Sequence, residues 1–322
     1  MDSKTRVLMA LSHEKPDRLP FNFWMDRRLM AEYEKKIGHR HWRVTHYGAD
    51  VIESFVNVPF PSGKFVDHDG SMWFEQPYPL DWTQVDAVPM PDPYAEDVFK
   101  WMTPDIEEFP DTAVVMLSAT PWGFIANMVG YEKLYLDVID YADAYQKLAQ
   151  RITDVMKVVI ARAAKLGVTA LYIQEDVADA NGISMSHQMI DDVSFKFARQ
   201  LVEVAADHNI PTLFHCCGKI MELMPDFIGI GVKAVNPLQP HLNDLQEFKR
   251  KYGDTLTLYG GGDNCFTISQ GTADQVRQHV NDVFEIVGKP DGGLIFSTHD
   301  IDMDVPCENV EAMVEAIKQC RF

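Results

Sequence analysis

Short apolar runs recur along the chain, separated by longer stretches whose apolar positions fall three or four residues apart. Eight runs read as strands: "RLPFNFW", "DVIESFV", "AVVMLSA", "ALYIQED", "PTLFHCC", "KAVNPLQ", "LTLYGGG" and "GLIFSTH". They are continuously apolar rather than alternating, as suits strands of a parallel sheet covered on both faces. The intervening stretches read as crossover helices. Ile190, Val193, Phe197, Leu201 and Val204 draw one helical face. Thr272 with Gln275 forms a capping-box pattern, Val276, Val280, Val283 and Val287 make the stripe, and Gly288 and Pro290 mark a stop. A last helix follows Pro306 through Val310, Met313, Val314 and Ile317. Strand and helix alternating eight times and ending on a helix predicts an α/β fold, a (β/α)8 TIM barrel, with residues 1–322 as a single domain.

Residues 57–110 break this rhythm with prolines and aromatics. In "KFVDHDGSMWFEQ" an Asp69-Gly70 turn joins two strand-like arms, which predicts a hairpin insertion between the second and third strands. Trp73, Phe74, Tyr78 and Trp82 either cover the barrel mouth or form a satellite cluster.

Composition narrows the setting. The 322 residues are 46% hydrophobic and 24% charged, and no apolar stretch reaches the length of a membrane span. The opening "MDSKTRVLMALSHEKPD" lacks a continuous apolar core and a small-residue cleavage site, which points to the cytoplasm. A formal charge of −19 with no basic aromatic cluster argues against nucleic acid as a partner. The five cysteines do not form a disulfide framework, leaving free thiols or metal thiolates.

In a barrel of this kind the C-terminal strand ends converge on one face, where catalysis is built. Those ends carry Asn22, Trp24, Asp26, Ser118, Thr120, Gln174, Glu175, Asp176, His215, Cys217, Asn236, Gln239, Asp263, Asn264, His299 and Asp300. His215 and Cys217 lie one residue apart, so on an extended strand end both point to the same side. Imidazole with thiolate favours zinc, with a third ligand from elsewhere; His299 fits better than Cys265, which lies further into its loop. Otherwise Cys217 is a small buried hydrophobe and the histidines are hydrogen-bonded polar residues. Cys216 is assigned to packing, Cys307 to a helix start and Cys320 to a frayed C-terminus. Glu175 and Asp176 offer an acid, a ligand or a substrate anchor, or else a helix cap or ion pair, with alternation sending one of them into the mouth. The glycines of "YGGGDNCF" let the backbone approach the mouth, with Asp263 held inward.

"HCCG", "YGGGD" and "STHDIDMDVPCENVEAM" together resemble the uroporphyrinogen decarboxylase superfamily, over nearly the whole chain. The resemblance implies a (β/α)8 barrel that serves either porphyrinogen decarboxylation or zinc-dependent methyl transfer with corrinoid proteins. The decarboxylases carry an arginine-bearing stretch after the first strand and an aspartate after the second. Here "MDRRLM" matches loosely through Arg27 and Arg28, and "ESFVNVPFP" offers no aspartate.

Resemblance to the methyltransferase branch implies His215 and Cys217 as zinc ligands, with Glu175 and Asp176 in its acidic region. His299 stands where relatives that alkylate thiols have a cysteine and decarboxylases a histidine. Imidazole in place of thiolate makes the metal more positive by about one charge and a stronger Lewis acid. The expectation is a zinc enzyme that demethylates a small methoxyarene or methylamine, passes the methyl to the cobalt of a partner corrinoid protein, and uses Asp176 or Glu175 as proton donor. Asn22, Trp24, Trp122, Asn236 and Asp263 are expected at the substrate. The alternatives are a decarboxylase-like lyase and methyl transfer from a methylcorrinoid to a thiol or folate.

Overall fold

The computed structural model describes residues 1–68 and 71–322, so the expected Asp69-Gly70 turn lies outside the described residues. The strands are β1 (Val51–Ser54), β2 (Lys64–His68), β3 (Ser71–Gln76), β4 (Ala113–Ser118), β5 (Ala170–Gln174), β6 (Ala178–Asp179), β7 (Gly182–Ile183), β8 (Thr212–His215), β9 (Ala234–Asn236), β10 (Thr257–Gly262) and β11 (Leu294–Thr298). Seven of them, each one of the apolar runs, form a curled parallel sheet in the order β1-β4-β5-β8-β9-β10-β11. β2 and β3 form a separate antiparallel pair, with Phe65 opposite Phe74 and Val66 opposite Trp73. Trp73 is exposed, whereas Trp82 is buried and donates from its indole to Asp137 at 2.7 Å.

The run "RLPFNFW" does not form a strand. It makes isolated parallel bridges, Phe21 with Phe296 and Met25 with Ile301. Pro20 has no N–H to donate, so its carbonyl alone serves, accepting from Phe296 at 2.9 Å, while Asn22 donates to the Phe296 carbonyl. On the other side the Phe21 carbonyl accepts from the Asp50 amide at 2.8 Å, and the Phe21 amide donates to the Asp50 carboxylate at 3.0 Å. This segment therefore links β11 to the start of β1. Asp50 is fully buried and accepts from Arg6 (2.6 Å), Arg18 (2.7 and 2.9 Å) and Ser3 (2.7 Å), which satisfy its charge.

Inside the curl, Val115, Ala170, Leu213, Ala234 and Ile295 pack against Val7, Ala10 and Leu11 of the helix Ser3–Leu11. That helix closes the N-terminal ends of the strands: its Lys4 amide donates to Asp111 just before β4, and Thr257, first in β10, donates to the Ala10 carbonyl. Polar groups concentrate at the opposite ends.

The helical stripes bury as their spacing predicts, with two departures. His187–Ile190 and Lys196–Asp207 are joined by a π turn, Asp191–Phe195, whose extra width rotates the second helix relative to the first. Ile190, Val193, Phe197 and Leu201 are buried, but Ala205 takes the last buried place that the spacing gives to Val204. Ala273–Val283 has the Thr272–Gln275 capping box, yet its path runs on through a π turn, Phe284–Gly288, and ends at Gly292 in the left-handed region. The expected stop at Gly288 is wrong because the wider turn carries the helical path past it, with Pro290 in its last turn.

Cys320 is buried and not frayed. Its carbonyl accepts from Leu19 and its thiol contacts the Ala316 carbonyl, so the end of the last helix, Cys307–Gln319, is tied to the segment that links β11 to β1. Among the described residues no helix is long and apolar enough to cross a membrane.

Candidate metal centre

β8 ends in "TLFH". Alternation sends Phe214 outward, against the rings of Phe195 and Phe227, and His215 inward. The neighbouring strand β9 ends on Asn236, paired in register with His215. Asn236 Oδ1 lies 2.7 Å from His215 Nδ1. The orientation of that amide is fixed twice: Nδ2 donates to the Tyr259 carbonyl at 2.6 Å, and Tyr172 Oη donates to Oδ1 at 2.7 Å. His215 Nδ1 must therefore be the protonated nitrogen, leaving the Nε2 lone pair open.

Past the strand, the Cys217 amide donates to Asp176 Oδ1 at 2.9 Å. Gly218 comes next with φ +95°, and a Cβ there would come within 2.3 Å of the Asp179 carbonyl oxygen. Only glycine makes this turn, which brings Cys217 back over the strand end. Cys217 Sγ lies 3.2 Å from His215 Nε2 and 3.2 Å from His299 Nε2, and the three donor atoms all lie within 4.8 Å of one another. His299 sits directly after β11. A small tetrahedral cation with bonds of about 2.0–2.3 Å separates neighbouring donors by roughly 3.3–3.8 Å, so the set fits one with little adjustment. Two neutral imidazoles and a thiolate are also the right chemistry. Burial, then the charge of Asp176, pushes the Cys217 thiol up, while burial and then His215 push His299 down. Both shifts favour the uncharged thiol and the uncharged His299 ring, and a cation would draw the proton from sulfur.

A cavity of about 470 Å³ reaches the donor set through His215 and is lined as well by Gln174, Glu175, Asp176, Ser118, Tyr131 and the rings of Phe55 and Phe124, among others. Among the described residues that line it, none is lysine or arginine. Both carboxylates reach it, because β5 stops at Gln174 and strict alternation stops with it. Asp176 is half exposed, 3.8 Å from His215 Nε2. Glu175 is buried: Thr120 donates to its Oε2, and Oε1 has no hydrogen-bond partner among the described residues. Burial, then Asp176, raises its pKa well above the ordinary carboxylate value, which favours the neutral acid.

The other expected site residues disperse. Asn22 is fully buried and donates to Tyr259 Oη at 3.1 Å; Trp24 lies under the Arg43 guanidinium at 4.6 Å. Trp122 is fully buried against Tyr131, Tyr135 and Tyr145 and does not line the cavity, because Thr120 caps its helix and turns the indole toward neighbouring helices. Asp263 accepts from the amides of Phe266 and Thr267 as a helix cap. Cys216 is buried and Cys307 opens the last helix. Arg27 pairs with Asp67 and Arg28 with Asp26, away from the cavity lining. Tyr172 does not stand out in the sequence, nor does the buried group in which Tyr259 donates to Glu53 at 2.6 Å with Arg43 close by. Its signal was a carboxylate inside the apolar run "VIESF".

A family profile described as Uroporphyrinogen decarboxylase (URO-D) matches residues 64–320. The chain is 26% identical to "Methylcobamide:CoM methyltransferase MtaA" of Methanosarcina barkeri over 144 residues, which is 44% of this chain and 40% of that protein. It is 23% identical to "Uroporphyrinogen decarboxylase" of Aliivibrio salmonicida (strain LFI1238) over 263 residues, 76% of this chain and 70% of that one. The fold is shared with a solved "methyltransferase from Methanosarcina mazei", at 17% identity and a TM-score of 0.74 over 98% of both chains. With four fifths of its length inside the family profile, this chain belongs to the uroporphyrinogen decarboxylase (URO-D) family.

Proposed function

We propose that the protein is a zinc-dependent methyltransferase that moves a methyl group between a small methoxyarene or methylamine and the cobalt of a partner corrinoid protein. The observation that carries this reading is the convergence of His215, Cys217 and His299 beside a cavity with two carboxyl groups and no lysine or arginine among the described residues that line it. A substrate bearing many carboxylates finds no cationic anchor there, whereas a neutral or cationic methylated compound does not need one. In this reading the segment 19–25 takes the first strand position of a (β/α)8 barrel, β2–β3 is an insertion, and the partner docks over the strand ends.

His215 Nε2, Cys217 Sγ and His299 Nε2 would hold the zinc. When bound, it supplies a Lewis acid that polarises the oxygen or nitrogen carrying the methyl group. The remaining work falls to the chain. Phe55 and Phe124 flank the substrate from the apolar wall, and Asp176 holds Cys217 in place through its amide. In demethylation the bond from the methyl carbon to oxygen or nitrogen breaks. Reduced cobalt provides the electron pair for the new carbon–cobalt bond, and the released heteroatom takes a proton from Glu175 or Asp176. Similarity to MtaA favours a second reading, transfer from a methylcorrinoid to a thiol.

Mixing the protein with a reduced corrinoid protein and a panel of methoxyarenes, methylamines and methanol, while recording the cobalt absorbance, tests the proposal. Methyl-cobalt is expected to form with a methoxyarene or methylamine, and His299→Ala to abolish it with the fold intact. Methyl loss from a premethylated partner on adding thiols, with no reaction in the first direction, would establish the second reading. Full activity of His299→Ala, or purified protein with far less than one equivalent of zinc, would sink the metal assignment.

A further inference from the structure

Asn236 was expected at the substrate, but its side chain is spent on its neighbours. Its Oδ1 faces His215 Nδ1 at 2.7 Å and also accepts from Tyr172 Oη; its Nδ2 donates to the Tyr259 carbonyl. The residue is buried, and its three partners come from the neighbouring strands β5, β8 and β10. We infer that Asn236 is a positioning residue: with Tyr172 it locks His215 in the Nδ1–H tautomer and presents the Nε2 lone pair toward Cys217 and His299.

An amide on its own offers the imidazole either a donor or an acceptor, since a half-turn about its last bond exchanges oxygen for nitrogen. Here the flipped amide would set its NH2 against the Tyr172 hydroxyl and its oxygen against the Tyr259 carbonyl. Two acceptors would then face each other at 2.6 Å, so the flip is closed. Tyr172 Oη also lies 3.4 Å from His215 Nδ1, filling the space into which the ring would otherwise tilt. Tyr172 is fully buried, and its hydroxyl lies 2.7 Å from Asn236 Oδ1. Strand register fixes the geometry, because His215 pairs with Asn236 and Gln174 with His215 along the parallel ladder.

The metal-affinity part of this inference rests on the zinc reading; the tautomer part does not. The test uses full-length protein in three forms: wild type, Asn236→Ala and Asn236→Asp, with Tyr172→Phe as a milder change. Nitrogen-15 NMR of the histidine rings in metal-free protein should show His215 as the Nδ1–H tautomer in wild type and Asn236→Asp. In Asn236→Ala the signal should move to mixed tautomers. Zinc affinity by chelator competition should fall about 10–100-fold in Asn236→Ala and fall less in Tyr172→Phe and in Asn236→Asp, whose carboxylate still accepts from Nδ1 but sets its second oxygen against the Tyr259 carbonyl. If wild type does not bind zinc, the proposed function fails while the tautomer readout still decides this inference. An unchanged tautomer and unchanged zinc affinity in a folded Asn236→Ala protein would overturn it.

Discussion

His215 and Cys217 were legible in the sequence because a strand has a period of two, and two donors one residue apart must share a face. Trp122 was not, because its direction is set by the phase of a helix whose cap, Thr120, and packing partners lie in other elements. His279 is a third kind of case, invisible as a motif yet constrained by its surroundings. Its Nε2 accepts from the Asp263 amide at 3.0 Å. Burial lowers its pKa below the ordinary 6.5, against the opposing pull of Asp263 and the Gly261 carbonyl. A histidine held neutral in the fold binds fewer protons than in the unfolded chain. It therefore contributes stability above pH 6.5 that is lost as pH falls from there through its lower folded value. Urea unfolding midpoints of wild type should drop across that window, and those of His279→Gln, whose amide oxygen can accept from Asp263, should drop less.

At the scale of elements, seven apolar runs became the seven strands of the sheet, since continuous burial leaves little freedom in where such a run can go. "RLPFNFW" had the same apolar character, but Pro20 removes a donor from its middle and reduces it to isolated bridges. The π turns at Asp191–Phe195 and Phe284–Gly288 left no mark on the spacing, because one extra residue per turn is a matter of packing. Loops that carry ligands are set more tightly than their sequences indicate. Gly218→Ala puts a Cβ 2.3 Å from the Asp179 carbonyl oxygen on a backbone at φ +95°. A destabilisation of about 2 kcal/mol or more is expected in urea unfolding, with weakened metal uptake because Cys217 is displaced.

Across the whole molecule, the curl of the sheet depends on charge as well as on apolar packing. Asp50 joins the helix Ser3–Leu11, the Phe21 amide and the start of β1 through Arg6, Arg18 and Ser3. Removing its carboxylate in Asp50→Ala takes the carboxylate partner from the largely buried Arg18 guanidinium, and leaves Arg6 with Asp17 at 2.7 Å. A loss of about 3–5 kcal/mol is expected, read as a lower urea midpoint. Nothing in "YGAD" announced this, since the partners sit far away in sequence. The link that Asp50 supports joins residues 274 positions apart, Trp24 and Thr298, whereas Cys217 and His299 are separated by 82. The entropy of closing a loop rises with its length and falls due before the contacts repay it, so the longest closure belongs late in folding. His215 and Cys217 arrive together on one strand end, but His299 stands beside the seam that closes last. β10 pairs with β11 up to Gly262 and Thr298, so the third donor is held by the sheet on one side and flanked by that seam on the other.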